Sequence, residues 1–255
     1  MLAAAHTGQG QFAQALAYTE KLGDLSAAIG HPIDEHIHQW VRINLYLAVG
    51  AWAEAGRWAD SLYVQRETMV PATIHLNLGF VARAWIANGK LDEGQALLDE
   101  LLSSLPADTA ASLVITDLAV AYGHLNLALQ KPEALFVGLE ERIRPYREAG
   151  FIRLLADEYW LRGRAEMALG QYNAARTVLL KAREFAEAQE ERAVLWQILA
   201  TLAEVEEACG STDAAVDFLN QAQQVVDYIA EHAGELREMF LAWPEVQAVL
   251  TRKLK

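Results

Sequence analysis

The sequence predicts an all-α fold of antiparallel helix hairpins stacked side by side, and three observations lead there. The 255 residues are rich in Ala and Leu and contain only six prolines, a mixture that favours helix. Apolar residues make up 53% of the chain and recur at the three- and four-residue spacing of an amphipathic helix. The chain also repeats itself. "GQYNAARTVLLKA" from Gly170 and "GSTDAAVDFLNQA" from Gly210 align without gaps, pairing Gly170 with Gly210, Ala174 with Ala214, Ala175 with Ala215, Leu179 with Leu219 and Ala182 with Ala222. Self-similarity at a fixed period marks stacked units.

Each unit reads as one hairpin. An apolar helix ends at a glycine, which takes the left-handed conformation of a helix C-terminus without strain. The second helix opens on small residues that admit its partner closely, and keeps one face apolar with Leu and then Ala. A lone hairpin cannot bury that stripe, so neighbours must stack on it.

From the N-terminus, "GQGQFAQALAYTEKL" supplies a second helix through Gly10, Phe12, Ala15 and Leu22, with only "LAAAHT" before it as a first helix. "LYLAVGAWAEAGRWADS" gives unit two with Leu45, Ala48, Val49 and Trp52, and puts Gly56 in the place of the turn glycine, followed by Trp58 and Ser61. "LGFVARAWIANGKLDEGQALLDELLSSLP" gives unit three through Leu78, Val81, Ala82, Trp85, Gly89, Leu91, Gly94, Leu98, Leu101 and Pro106. A weaker fourth unit uses Leu118, Ala121, Tyr122, Leu125 and Ala134, and the aligned pair forms units five and six. No Gly/Ser-rich or charged linker interrupts them, so residues 1–255 read as one domain. Its last segment, 231–255, packs Phe240, Leu241, Trp243 and Val249 over the final hairpin as a cap, with Pro244 opening a short helix. The short first unit is expected to leave an N-terminal end that exposes apolar surface, either because the chain is a piece of a longer protein or because something docks there.

Unit three, with a large residue, a large-small pair, an aromatic, the turn glycine, a small residue, two apolar residues and a closing proline, resembles the tetratricopeptide repeat. The resemblance covers about residues 1 to 230 and implies a right-handed α-α superhelix. Units near 40 residues resemble those of large bacterial signal-transduction ATPases and maltose-regulator-type transcription regulators, and "LREMFLAWPEVQAVL" resembles the tails of such proteins. The family binds partners along the groove lined by first helices. Carried onto this chain, that groove receives Tyr46 from unit two, Phe80 and Arg83 from unit three, Asn126 from unit four, Asp157, Trp160 and Arg164 from unit five, and Gln197 and Glu204 from unit six. Phe80 and Trp160 read equally well as core. Three features depart from the family pattern: Arg162 at an apolar position, Glu166 and Glu206 in place of aromatics, and Gln65 and Thr68 on the second helix of unit two. The family's carboxylate clamp, built on Lys and Asn, does not carry over, because Tyr46, Gly79 and Trp160 stand at its positions.

Chemistry-bearing motifs are sparse. There is no GxxxxGK[ST], HExxH or GxSxG. The single cysteine, Cys209, excludes an intrachain disulfide, and its local neighbours Glu206, Glu207 and Asp213 are not the cationic surroundings a nucleophilic thiol needs. "HPIDEHIHQW" concentrates three of the seven histidines, yet His36 and His38 are two apart and face different sides of a helix. Asp34 is the expected N-cap there, with Glu35 in the first turn. The sequence thus predicts no catalytic residue, no metal and no cofactor. The net charge of −13 argues against nucleic-acid and anionic-membrane binding and points to basic or apolar partners. No secretory leader is recognisable, which suits a cytoplasmic protein. The expected function is a protein- or peptide-binding scaffold within a bacterial regulator, with a small-ligand sensor as the alternative.

Overall fold

The computed structural model describes residues 2–69, 71–104, 113–135 and 155–252, with Val137, Arg144 and Glu148 between them. Pro106, expected to close unit three, and the last three residues of the basic tail lie outside. The described residues are all-α: thirteen α-helices and no strand. They are α1 (Leu2–Gly8), α2 (Phe12–Ile29), α3 (Pro32–Val49), α4 (Trp52–Val64), α5 (Pro71–Ala87), α6 (Leu91–Ser104) and α7 (Leu113–Ala128), then α8 (Leu155–Ala168), α9 (Tyr172–Ala188), α10 (Arg192–Ala208), α11 (Thr212–Glu231), α12 (Arg237–Leu241) and α13 (Pro244–Thr251). No described helix is long and apolar enough to cross a membrane.

The hairpin turns follow the glycine logic, with one change of register. Gly89, Gly170 and Gly210 sit at φ +81°, +73° and +77°, with open space where a side chain would go, so conformation alone selects glycine. In unit two the turn is at Gly50 (φ +77°), the C-cap of α3. Gly56 instead lies inside α4, where a Cβ would come within 2.8 Å of the Asn88 side chain, so it marks a close helix approach and not a turn. In unit four the left-handed residue is Gln130 at φ +56°.

Further departures from expectation have local causes. Helix α3 begins two residues before Asp34: Pro32 occupies its first turn and His31 is the N-cap, its Nδ1 accepting the Ile33 amide at 3.2 Å. Proline's fixed φ suits that position, which leaves Asp34 and Glu35 in the first turn, near the positive end of the helix dipole. Helix α4 stops at Val64, and Arg66–Thr68 form a 3₁₀ turn, where Gln65 donates to Glu35 at 3.4 Å and the exposed Thr68 donates to the Gln65 carbonyl at 2.7 Å. Arg162 binds the buried Glu158 four residues back, both Nε and Nη2 lying 3.0 Å from Oε1. Glu206 is held by both arms of Arg176 at 2.6 Å. Each pair supplies the opposite charge that a carboxylate removed from water requires.

Helix-helix contacts run in a closed circuit. The first helices touch in chain order, α1 with α3, then α5, α7, α8 and α10, and α10 returns to α1. Among the described residues, α2, α4, α6, α9 and α11 each pack against the first helix of their own unit. Three apolar clusters form the core. One is centred on α5 with α4, α6 and α7, and one on α8, α9 and α10. The third joins the two ends of the chain: Phe12, Leu45 and Val49 pack with Trp196, Leu219, Ile229, Phe240, Trp243 and Val246. The terminal segment therefore does more than cap the last hairpin. Phe240 meets Phe12 edge-on at 5.7 Å, and Trp243 meets Trp52 at 6.0 Å and Trp196 at 5.1 Å. Of the N-terminal unit this segment covers Phe12, which is fully buried, while Leu2, Leu25 and Ile29 stay exposed.

Candidate functional site

The circuit aligns equivalent positions of successive units. Arg83, His124, Arg164 and Glu204 each stand six residues before the left-handed turn residue of their unit, namely Gly89, Gln130, Gly170 and Gly210. Asn44 holds the same place before Gly50. On α5, α7 and α8 these side chains converge. His124 lies 5.9 Å from the Trp160 ring, centre to centre. The Arg164 guanidinium stands 5.2 Å from the centre of that same ring, and Arg83 stands 5.9 Å from the Phe80 ring. Trp160 donates its Nε1 hydrogen to Thr201 on α10 at 3.1 Å, and Thr201 donates to the Gln197 carbonyl at 2.7 Å. Three circuit helices, α5, α7 and α8, thus supply the surroundings of His124, and α10 is tied in through Trp160.

The electrostatics follow from that placement. Removal from water, reinforced by the two guanidiniums, pushes the His124 pKa down to about 3, so the ring is neutral at physiological pH. Asp157 reaches the same region from α8. Removal from water raises its pKa, against the pull of Arg83 and a hydrogen bond from its own backbone. Asp157 thus faces Arg83 although a whole helix, α7, lies between their elements in the circuit.

The predicted groove residues separate into two groups. Arg83, Asp157, Trp160 and Arg164 come together, with Phe80 behind Arg83 and Gln197 beside Thr201. Phe80 and Trp160 are themselves buried, so they back the guanidiniums while belonging to the core. Tyr46, Asn126 and Glu204 are engaged elsewhere. Tyr46 is half-buried and packs against two of the apolar clusters, as the register set by Gly50 requires. Asn126 donates to the carbonyls of Ala134 and Leu135 at 3.0 and 3.3 Å, tying down the Pro132–Ala134 turn. Glu204 pairs with Arg252 at 3.2 Å, while Glu207 takes the other arm of that guanidinium.

Sequence reasoning missed His124. The signal existed, six residues before a turn, but the turn residue is a glutamine and the surrounding helix is almost uniformly apolar. The histidines of "HPIDEHIHQW" do not gather into a site. His36 is buried, whereas His38 accepts from Arg42 Nε at 3.0 Å and stands edge-on to Trp58. Among the described residues no group of three His, Cys, Asp or Glu is placed to hold a metal ion. Cys209 is exposed at the C-terminal end of α10.

No family model matches the chain, and no curated protein does. Among solved structures it is similar in fold to BtubC (BKLC) from P. vanneervenii, with a TM-score of 0.57 and 17% sequence identity over 86% of this chain and 91% of that one.

Proposed function

We propose that the chain is a tetratricopeptide-like binding module, a right-handed superhelical array that holds a segment of a partner polypeptide on its inner surface and catalyses nothing. The observation that carries this reading is the convergence of Arg83, His124, Asp157 and Arg164 from three first helices onto one surface. Polar groups fixed on rigid helices supply directed recognition, because their geometry is set before the partner arrives. The resemblance of the units and tail to bacterial regulators adds the expectation that the bound segment controls an attached activity in the cytoplasm.

A random peptide library panned against the chain tests this reading. Selected peptides should photo-crosslink to a benzophenone side chain placed at Asn44 or Gln197, and not to one placed at Asn220 on the outer helix α11. Crosslinking at Asn220 alone would sink the inner-surface reading. A second reading, a small-ligand sensor, draws on the half-buried placement of His124 beside two guanidiniums. It predicts that a small anion binds where no selected peptide does.

A further inference from the structure

The described arginines divide sharply. Arg57, Arg144, Arg162, Arg176, Arg183, Arg192, Arg237 and Arg252 each pair with a carboxylate. Arg42 binds His38, and Arg66 binds the Tyr63 carbonyl. Only Arg83 and Arg164, among the described residues, have neither a hydrogen bond nor an ion pair. In a chain of net charge −13, where carboxylates outnumber cations, two guanidiniums on one surface without an ion pair run against the composition, with Asp157 the one carboxylate that acts on Arg83. Both occupy the same repeat position, both are backed by an aromatic ring, and both flank His124. Arg164 is exposed and Arg83 half-buried, so both remain open to a ligand.

We infer that Arg83 and Arg164 form a two-armed oxyanion site, which takes the carboxylate of an acidic residue in the segment bound on the inner surface. The inference rests on the binding-module reading above and gives that site its ligand chemistry. A guanidinium presents paired N–H donors that match a carboxylate, and the nearby ring holds its charge at cation–π distance. The neutral His124 between the two arms adds a donor or acceptor without adding like charge. Asp157 is the internal competitor: it draws on Arg83 while no ligand is present. The site therefore selects the opposite charge from the one the whole-chain acidity suggests, because the local field of two nearby cations outweighs distant screened carboxylates.

The test uses the full chain and four probes: succinate, inorganic phosphate, a capped hexapeptide alternating glutamate and leucine, and its glutamine counterpart. The glutamate peptide should bind more tightly than the glutamine peptide. Each of Arg83→Gln and Arg164→Gln should weaken it by roughly tenfold or more, and Asp157→Asn should strengthen it. Bound carboxylate should also move the His124 ring titration, followed by NMR, upward by about one pH unit or more. The shift counts only while the amide spectrum of the folded chain persists, because unfolding alone would also move the ring toward its ordinary 6.5. Equal affinity of the two peptides, or no change in the double Arg83→Gln/Arg164→Gln variant with its helicity intact, would overturn the site. If library peptides still crosslink at Asn44 or Gln197 in that case, the binding-module reading stands without it. Binding of succinate or phosphate through the two arginines, with no peptide binding, keeps the oxyanion site and overturns the polypeptide reading.

Discussion

The indole of Trp243 lies directly against Gly50: a Cβ on that glycine would come within 2.5 Å of the Trp243 ring. Gly50 also ends α3 in the left-handed conformation. One residue thus meets two separate requirements, a backbone angle and an open seat for a side chain almost two hundred positions away. Gly210 has the same φ of +77° and nothing near it. Gly210→Ala should cost about 1 kcal/mol, the backbone term alone. Gly50→Ala should cost clearly more, by about 1–3 kcal/mol of added overpacking. Urea denaturation of both variants decides it, and equal losses would mean that Trp243 yields its seat freely.

Trp243→Ala should destabilise the chain by about 3–5 kcal/mol, the usual range for a buried tryptophan. The loss has a location. Ala13 donates its amide hydrogen to the His232 carbonyl at 2.9 Å across the same seam. Hydrogen exchange at Ala13 should accelerate in the variant, while amides of the α5 and α6 core keep their protection. Uniform acceleration would show that the seam does not open separately.

Arg176→Ala leaves the Glu206 carboxylate, 8% exposed, without its bidentate partner. Arg176 itself is a third exposed, so water moderates the penalty to about 1–3 kcal/mol, below the cost of breaking a fully buried pair. Adding Glu206→Phe should restore most of that loss, since an aromatic is what the repeat pattern places there. Thermal melts of the single and double variants give the answer. A double variant no better than the single would show that the site does not accept the ring.

His124 makes the fold sensitive to acid. Its folded pKa is depressed to about 3 from an ordinary value of 6.5, so the unfolded chain takes up the proton first. The stability it permits is therefore complete above pH 6.5 and is lost progressively as pH falls toward 3. Asp157, with its pKa raised, acts in the opposite sense at the acid end. His124→Gln should flatten the decline in stability between pH 6.5 and pH 4.5, measured by denaturant midpoints. An unchanged slope would remove His124 as its cause.

The hairpins were legible because their signals are local. Gly170 and Gly210 open aligned segments, and Ala175, Leu179 and Ala182 with their counterparts Ala215, Leu219 and Ala222 are buried, whereas Ala174 is exposed. A signal fails where two causes produce one residue type. Gly56 serves close packing against Asn88 and Gly50 serves a turn, and the sequence marks both simply as glycine. Gln130 takes a left-handed angle that composition does not announce. Of the proposed groove, Arg83, Asp157, Trp160 and Arg164 were readable from repeat position, whereas Asn126 and Glu204 found partners in a turn and in the C-terminal segment.

The sequence by itself determined the helices and the glycine turns that end several of them, since each depends on residues within one or two turns of each other. Tertiary structure alone decided that α10 returns to α1 and that Phe240 and Trp243 close the chain over Phe12 and Gly50. It also decided that Arg83 and Asp157 face one another across α7. The physical reason is that closure depends on contacts between residues far apart in the chain. No local pattern encodes those contacts, and burial of one shared apolar seam selects them.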